Sequence, residues 1–193
     1  WTGIRKNKRL YLPYILTCVG MVMMYYIVCF LSVSPILATL PGGDDVLWML
    51  QLGTWVVGFF ALIFLFYTNS FLMRRRKKEF GLYNILGMGK RNLARILIWE
   101  NLIIALIAIA GGLVAGILFS KVAELGMVNI LSADVSFSLT VDLRTIGLVL
   151  ALFSAIFLLI FLNSLRQIHL SKPIELLHSE NVGEKPPRVN WGL

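Results

Sequence analysis

Four apolar runs constrain this chain more than anything else in it. Residues 14–31, about 48–73, about 96–119 and about 146–165 are almost free of charge. Each is as long as the roughly 20 residues a helix needs to cross a bilayer. A backbone buried in hydrocarbon must satisfy its own hydrogen bonds, so runs of this kind are helices. The composition agrees: 58% of the 193 residues are hydrophobic and only 15% charged, where a soluble domain carries about a quarter charged.

Between the runs lie segments of different character. Residues 2–12 mix Arg5, Lys6, Lys8 and Arg9 with Ile4, Leu10 and Tyr11. This reads as a helix lying at the interface (an elbow, residues 1–12) that turns into the membrane at Pro13. The run after it is too long for the core of a signal peptide and lacks a small-residue cleavage site. Residues 34–45, SPILATLPGGDD, form a short connection. A polar connection is expected over 121–144, with Glu124, Asp134 and Asp142. A four-helix module over 13–168 is followed by a tail or linker over 169–193.

Every Lys and Arg except Lys121 and Arg144 falls in the N-terminal segment, the loop after the second run, or the tail. An even number of crossings puts those three segments on one side, and the positive-inside rule makes that side cytoplasmic. The net charge of +8 is therefore a membrane-topology signal. Nucleic-acid binding is disfavoured, because the basic residues flank apolar spans instead of forming a stripe among exposed aromatics.

No catalytic or metal-binding constellation is visible. His169 and His178 have no partner at ligand spacing. Cys18 and Cys29 lie eleven residues apart in one run, beyond disulfide reach on a helix. The piece Gly87-Met88-Gly89-Lys90 falls short of a phosphate loop, which would need glycine at Asn84 and Ser or Thr at Arg91. No cofactor and no enzymatic activity are expected of this chain.

The unusual stretch is residues 69–101, NSFLMRRRKKEFGLYNILGMGKRNLARILIWEN. Five basic residues, 74–78, suit anionic headgroups at the inner leaflet. Glu79 pairs with Arg75 and Arg76 at helical spacing, worth only about 0.3–0.5 kcal/mol when exposed. Phe80, Leu82, Tyr83, Ile85, Leu86 and Met88 are too many apolar residues for a solvated loop, so some should bury against a partner protein or the bilayer surface. Glu100 sits about one turn inside the third run, where a carboxylate costs about 1–3 kcal/mol unless paired or able to reach the interface. An arginine on a neighbouring helix is the plain partner, and a coupling role is the alternative. Small residues recur every four positions at Ala108, Gly112, Gly116 and Ser120, and again at Gly147, Ala151 and Ala155. Such rows let helices approach closely.

The sequence RRRKKEFGLYNILGMGKRNLARILIWENL resembles the signature of FtsX-like ABC-transporter permeases. In that family a long second helix projects into the cytoplasm, followed by Glu-(Ile/Phe)-Gly, a second glycine six residues on, a basic turn and a helix with an early Glu. Glu79, Phe80, Gly81, Gly87 and Glu100 match, as do the basic N-terminal segment and the Pro-Ile-Glu-Leu-Leu tail at 173–177. The resemblance implies an all-α, four-helix membrane protein, N-in and C-in, with a coupling helix between the second and third spans. That helix would dock a cytoplasmic ABC ATPase, expected as a dimer, through Glu79, Phe80, Gly81, Tyr83, Leu86, Gly87 and Met88. The short connection at 32–47 argues against types with a large domain there, and favours the bacitracin-resistance type, of which this would be the N-terminal part. Export or release of antimicrobial peptides, the remaining half of the permease, membrane lipid and a sensor histidine kinase follow as expected function and partners. The reading of a different class is a non-transporting adaptor that holds a cytoplasmic partner through its basic loop.

Overall fold

The computed structural model describes residues 8–38, 42–85, 89–130 and 142–170, and the side chains of 11–35, 37–38, 42–76, 89, 91–126 and 142–167. All regular structure among them is helical: α1 (Lys8–Ser32), a one-turn α2 (Pro35–Ala38), α3 (Gly43–Ile85), α4 (Lys90–Ile130) and α5 (Leu143–Leu170). Four of these are long and apolar enough to span a membrane, over Tyr11–Ser32, Gly43–Arg76, Arg91–Gly126 and Leu143–Gln167.

α1 is the axis of the bundle, packed chiefly on α4 and α3 and to a lesser extent on α5. Tyr11, Tyr14, Cys18, Val22 and Tyr25 recur at three- and four-residue spacing along it and are all buried, as one helix face requires. They meet Ala61 and Leu65 of α3, Ile104 and Ala108 of α4, and Val149, Phe153 and Ile156 of α5 in one core. Both cysteines are free and buried there. The outer face of α3 carries Trp48, Leu52, Trp55, Phe59, Phe60 and Ile63, all exposed. In water such a surface would be an aggregation liability; in lipid it is the ordinary boundary of a membrane protein.

Three features differ from the expectations. Residues 8–12 run into the first span as one helix, with Pro13 inside α1 instead of at a turn. Only one hydrogen bond is forgone there, and the Pro13 carbonyl accepts from the Thr17 hydroxyl at 2.8 Å. The segment 79–85 is no separate element but the end of the 43-residue α3. The third helix does not stop near Phe119: it continues through Lys121 and Glu124 to Ile130. In sequence its polar residues suggest a connection, yet Lys121 and Glu124 lie one turn apart, pair at 2.7 Å and are buried, so the helix carries its own neutralised charge.

The entry into α3 depends on glycine. Gly42 takes a positive φ of 75°, which glycine adopts without the steric cost met by other residues. A Cβ on Gly43 would lie 1.9 Å from the Leu37 carbonyl oxygen, so the turn from α2 closes only without a side chain. Asp44 and Asp45 then occupy the first turn of α3, where negative charge complements the positive end of the helix dipole.

Candidate functional site

At the end of the bundle where α3 turns basic, the four long helices meet in one polar layer. α3 presents Asn69 and, two turns on, Arg76; both are buried although their neighbours Arg74 and Arg75 are exposed. α4 presents Glu100, also buried. The Glu100 carboxylate accepts from both terminal nitrogens of Arg76, Nη1 to Oε2 and Nη2 to Oε1, the second at 3.3 Å. The Tyr11 hydroxyl of α1 donates to Oε2 at 3.2 Å, and the Arg76 guanidinium lies 5.3 Å from the centroid of the Tyr11 ring. One carboxylate thus ties three helices together. The bidentate fork sets the orientation as well as the attraction.

The layer extends to α5. The Asn69 amide donates to the Ser164 hydroxyl at 3.0 Å, and that hydroxyl donates to the Ile160 carbonyl at 2.9 Å. Asn101 donates to the Phe157 carbonyl at 3.5 Å. A cavity of about 20 Å³ lies among Tyr11, Asn69, Arg76, Glu100 and Ser164, the size of one water site. The pair keeps both charges out of lipid. Removing Arg76 would leave the Glu100 carboxylate without its countercharge.

A second polar cluster closes the opposite end. Ser34, just before α2, donates to Glu124 Oε1 at 2.6 Å, while Lys121 Nζ donates to Glu124 Oε2 and lies 4.8 Å from the centroid of the Phe30 ring. Between the two clusters, α4 lies against α1 through glycine. A Cβ on Gly112 would come 2.4 Å from Val22 Cβ, and one on Gly116 would come 2.9 Å from Tyr26 Cβ.

The sequence-derived candidates are distributed unevenly over this geometry. Glu100 is in the polar layer, and Gly112 and Gly116 are at the α1–α4 contact. A Cβ on Gly147 would meet nothing within 4 Å, and Ala151 is exposed on the outer face of α5. Glu79, Phe80, Gly81 and Tyr83 belong to the last turns of α3. Leu86, Gly87 and Met88 lie outside the described residues. Among the described residues no group of His, Cys, Asp and Glu is placed to hold a metal ion.

Sequence reasoning missed Tyr11, Asn69, Arg76 and Ser164 as site residues. A signal for two of them was present: Asn69 and Arg76 are seven apart, hence on one helix face, within an otherwise apolar approach. Lys121, Glu124 and Ser34 were missed because a polar segment after an apolar run reads as a loop.

The family model described as FtsX-like permease C-terminal matches residues 52–171, more than half of the chain. An uncharacterized ABC transporter permease of Bacillus subtilis, YvcS, is 32% identical over 179 residues, 92% of this chain and 28% of that protein. The bacitracin export permease protein BceB of Halalkalibacterium halodurans is 25% identical over 94% of this chain and 28% of its own length. BceB of Bacillus subtilis is 25% identical over 83% of this chain and 25% of its own. The chain therefore spans about a quarter of the length of these relatives.

Proposed function

Since the chain belongs to the FtsX-like permease family, we propose that it couples ATP hydrolysis by a separate cytoplasmic ATPase to the export or release of antimicrobial peptides at the cell surface. It is a multi-pass bacterial membrane protein, and the relatives are permeases of ABC transporters. In this reading the N-terminus, the α3–α4 connection and the tail are cytoplasmic, as the distribution of Lys and Arg favours. The ATPase seats on residues 79–88, and the chain itself hydrolyses nothing.

One observation carries the reading: the buried Arg76–Glu100 pair, with Tyr11, stands where α3 leaves its apolar span. A partner pulling on the end of α3 would otherwise bend a lone helix. Here the pull passes directly to α4 and α1, because separating Arg76 from Glu100 would leave a carboxylate without its countercharge near the membrane. The peptide cargo is argued by likeness to the relatives named as bacitracin export permeases.

Affinity purification of the detergent-extracted chain, expressed with candidate ATPases, tests the docking. The proposal expects an ATPase to co-purify, to be lost with Leu86→Asp, and to be retained with Glu100→Gln. ATPase retention by Leu86→Asp refutes the docking surface.

A further inference from the structure

A cavity of about 510 Å³ opens between α1, α3 and α5 near the end where α5 begins. Its wall is apolar: Tyr25 of α1, Trp55 and Phe59 of α3, Leu152 of α5. At Gly58 α3 comes near both other helices. A Cβ there would stand 3.2 Å from the Tyr25 ring and 3.6 Å from a Leu152 methyl. The Tyr25 ring is in turn braced edge-on by Phe153, centroids 5.8 Å apart.

Polar residues complete the lining: Gln51, Thr54, Asp142 and Arg144. The Asp142 carboxylate is occupied in capping α5: it accepts from the backbone N–H of Arg144 at 3.1 Å, and from the N–H and hydroxyl of Thr145 at 3.2 and 2.7 Å. The Thr54 hydroxyl donates to the Leu50 carbonyl, which leaves its oxygen as an acceptor. The Gln51 amide and the Arg144 guanidinium remain as donors; the guanidinium is in no ion pair among the described residues, although its charge acts on the neighbouring Asp142 carboxylate.

From this geometry we propose that the cavity is a binding site for one anionic phospholipid of the phosphatidylglycerol kind. An acyl chain lies against Tyr25, Trp55, Phe59 and Leu152, and the phosphate is held by Arg144 and Gln51. The volume falls within the roughly 300–1,000 Å³ of small-molecule sites. A single hydrocarbon chain fills it lengthwise. A phosphate next to a guanidinium makes a charge-assisted hydrogen bond, about twice as strong as a neutral one, so the site prefers an anionic headgroup to a zwitterionic one. This site depends on neither the ATPase nor the cargo, and it stands or falls separately from the function proposed above.

Native mass spectrometry of the delipidated chain, titrated with phosphatidylglycerol and with phosphatidylcholine, tests the site. The expected result is one tightly held phosphatidylglycerol per chain, bound at least tenfold more weakly after Leu152→Trp fills the cavity. Arg144→Gln should abolish the preference over phosphatidylcholine, and Arg144→Lys should keep most of it. Circular dichroism establishes that each variant retains its helices. As an independent measurement, phosphatidylglycerol with brominated chains should quench tryptophan fluorescence saturably at one equivalent, and Trp55→Phe should remove the quenched component. Absence of a one-to-one adduct, equal affinity in a folded Leu152→Trp protein, or quenching that survives Trp55→Phe would overturn the site. An unchanged lipid preference in Arg144→Gln would overturn the headgroup assignment.

Discussion

The Arg76–Glu100 pair lends itself to a double-mutant cycle, because both side chains are buried and share a third partner in Tyr11. Arg76→Met removes the guanidinium and leaves the carboxylate with one hydroxyl donor at 3.2 Å. Breaking a buried pair in this way costs about 3–5 kcal/mol. Glu100→Leu removes the carboxylate that the guanidinium forks onto. Its cost falls near the lower end of that range, about 3 kcal/mol, because a long side chain at the end of a span can swing toward the interface. The double variant removes both charges of the pair, and the Tyr11 hydroxyl loses its Glu100 acceptor, which costs at most about 1–3 kcal/mol. The double variant should therefore lose at least about 3 kcal/mol less than the sum of the two single losses. Reversible unfolding in mixed micelles with a denaturing detergent, followed by far-ultraviolet circular dichroism, measures all four corners. Additive losses, or single variants within about 1 kcal/mol of the parent chain, would refute the assignment of this pair as the tie between α3 and α4.

Other perturbations follow from the same geometry. Gly112→Ala places a Cβ 2.4 Å from Val22 Cβ, and overpacking of this kind costs about 1–3 kcal/mol; Gly147→Ala meets nothing and should be neutral or slightly stabilising in the same unfolding assay. Glu124→Gln should destabilise by about 1–3 kcal/mol, since the charge-assisted bond from Lys121 becomes a bond to a neutral amide, and Lys121→Met combined with Glu124→Leu should recover most of that loss. The Asp142 carboxyl is held below its usual value, first by the Thr145 hydroxyl and then by the backbone N–H groups of Arg144 and Thr145. The stability it contributes is present above the unfolded pKa of about 3.9 and is lost as pH falls through the lower folded value. Asp142→Asn should remove that acid-limb dependence, and Asp142→Ala should cost about 1 kcal/mol at neutral pH through loss of the cap.

Much of the architecture was legible because lipid imposes simple rules. An apolar run of sufficient length must be helical, and four such runs were countable. The boundaries were less legible where a helix carries its own neutralised charges. Lys121 and Glu124 read as solvated, because the partner that completes their burial, Ser34, lies 90 residues before Glu124. Arg76 was hidden differently. In a row of five cations nothing local marks one as buried, and only the helical phase shared with Asn69 distinguishes it. Glu100 could be singled out as a carboxylate needing a partner, but not matched to one, since the choice depends on how α3 and α4 cross. The small-residue rows look alike in sequence, yet Gly112 and Gly116 face α1 whereas Gly147 and Ala151 face outward. Which row contacts another helix within this chain is a property of the packing, not of the spacing.

The position of Arg76 within α3 has a mechanical consequence. From Gly43 to Arg76 the helix rises about 50 Å, and from Arg76 to Ile85 only about 14 Å. A rigid rod held at Arg76 is a first-class lever with unequal arms, short on the basic side and more than three times longer on the other. Tilting the short arm by 1 Å would sweep the far end by about 3–4 Å, at the rim where Trp48 and Gln51 stand. A tilt about this point would be felt by α4 and α1, to which Arg76 is tied through Glu100 and Tyr11.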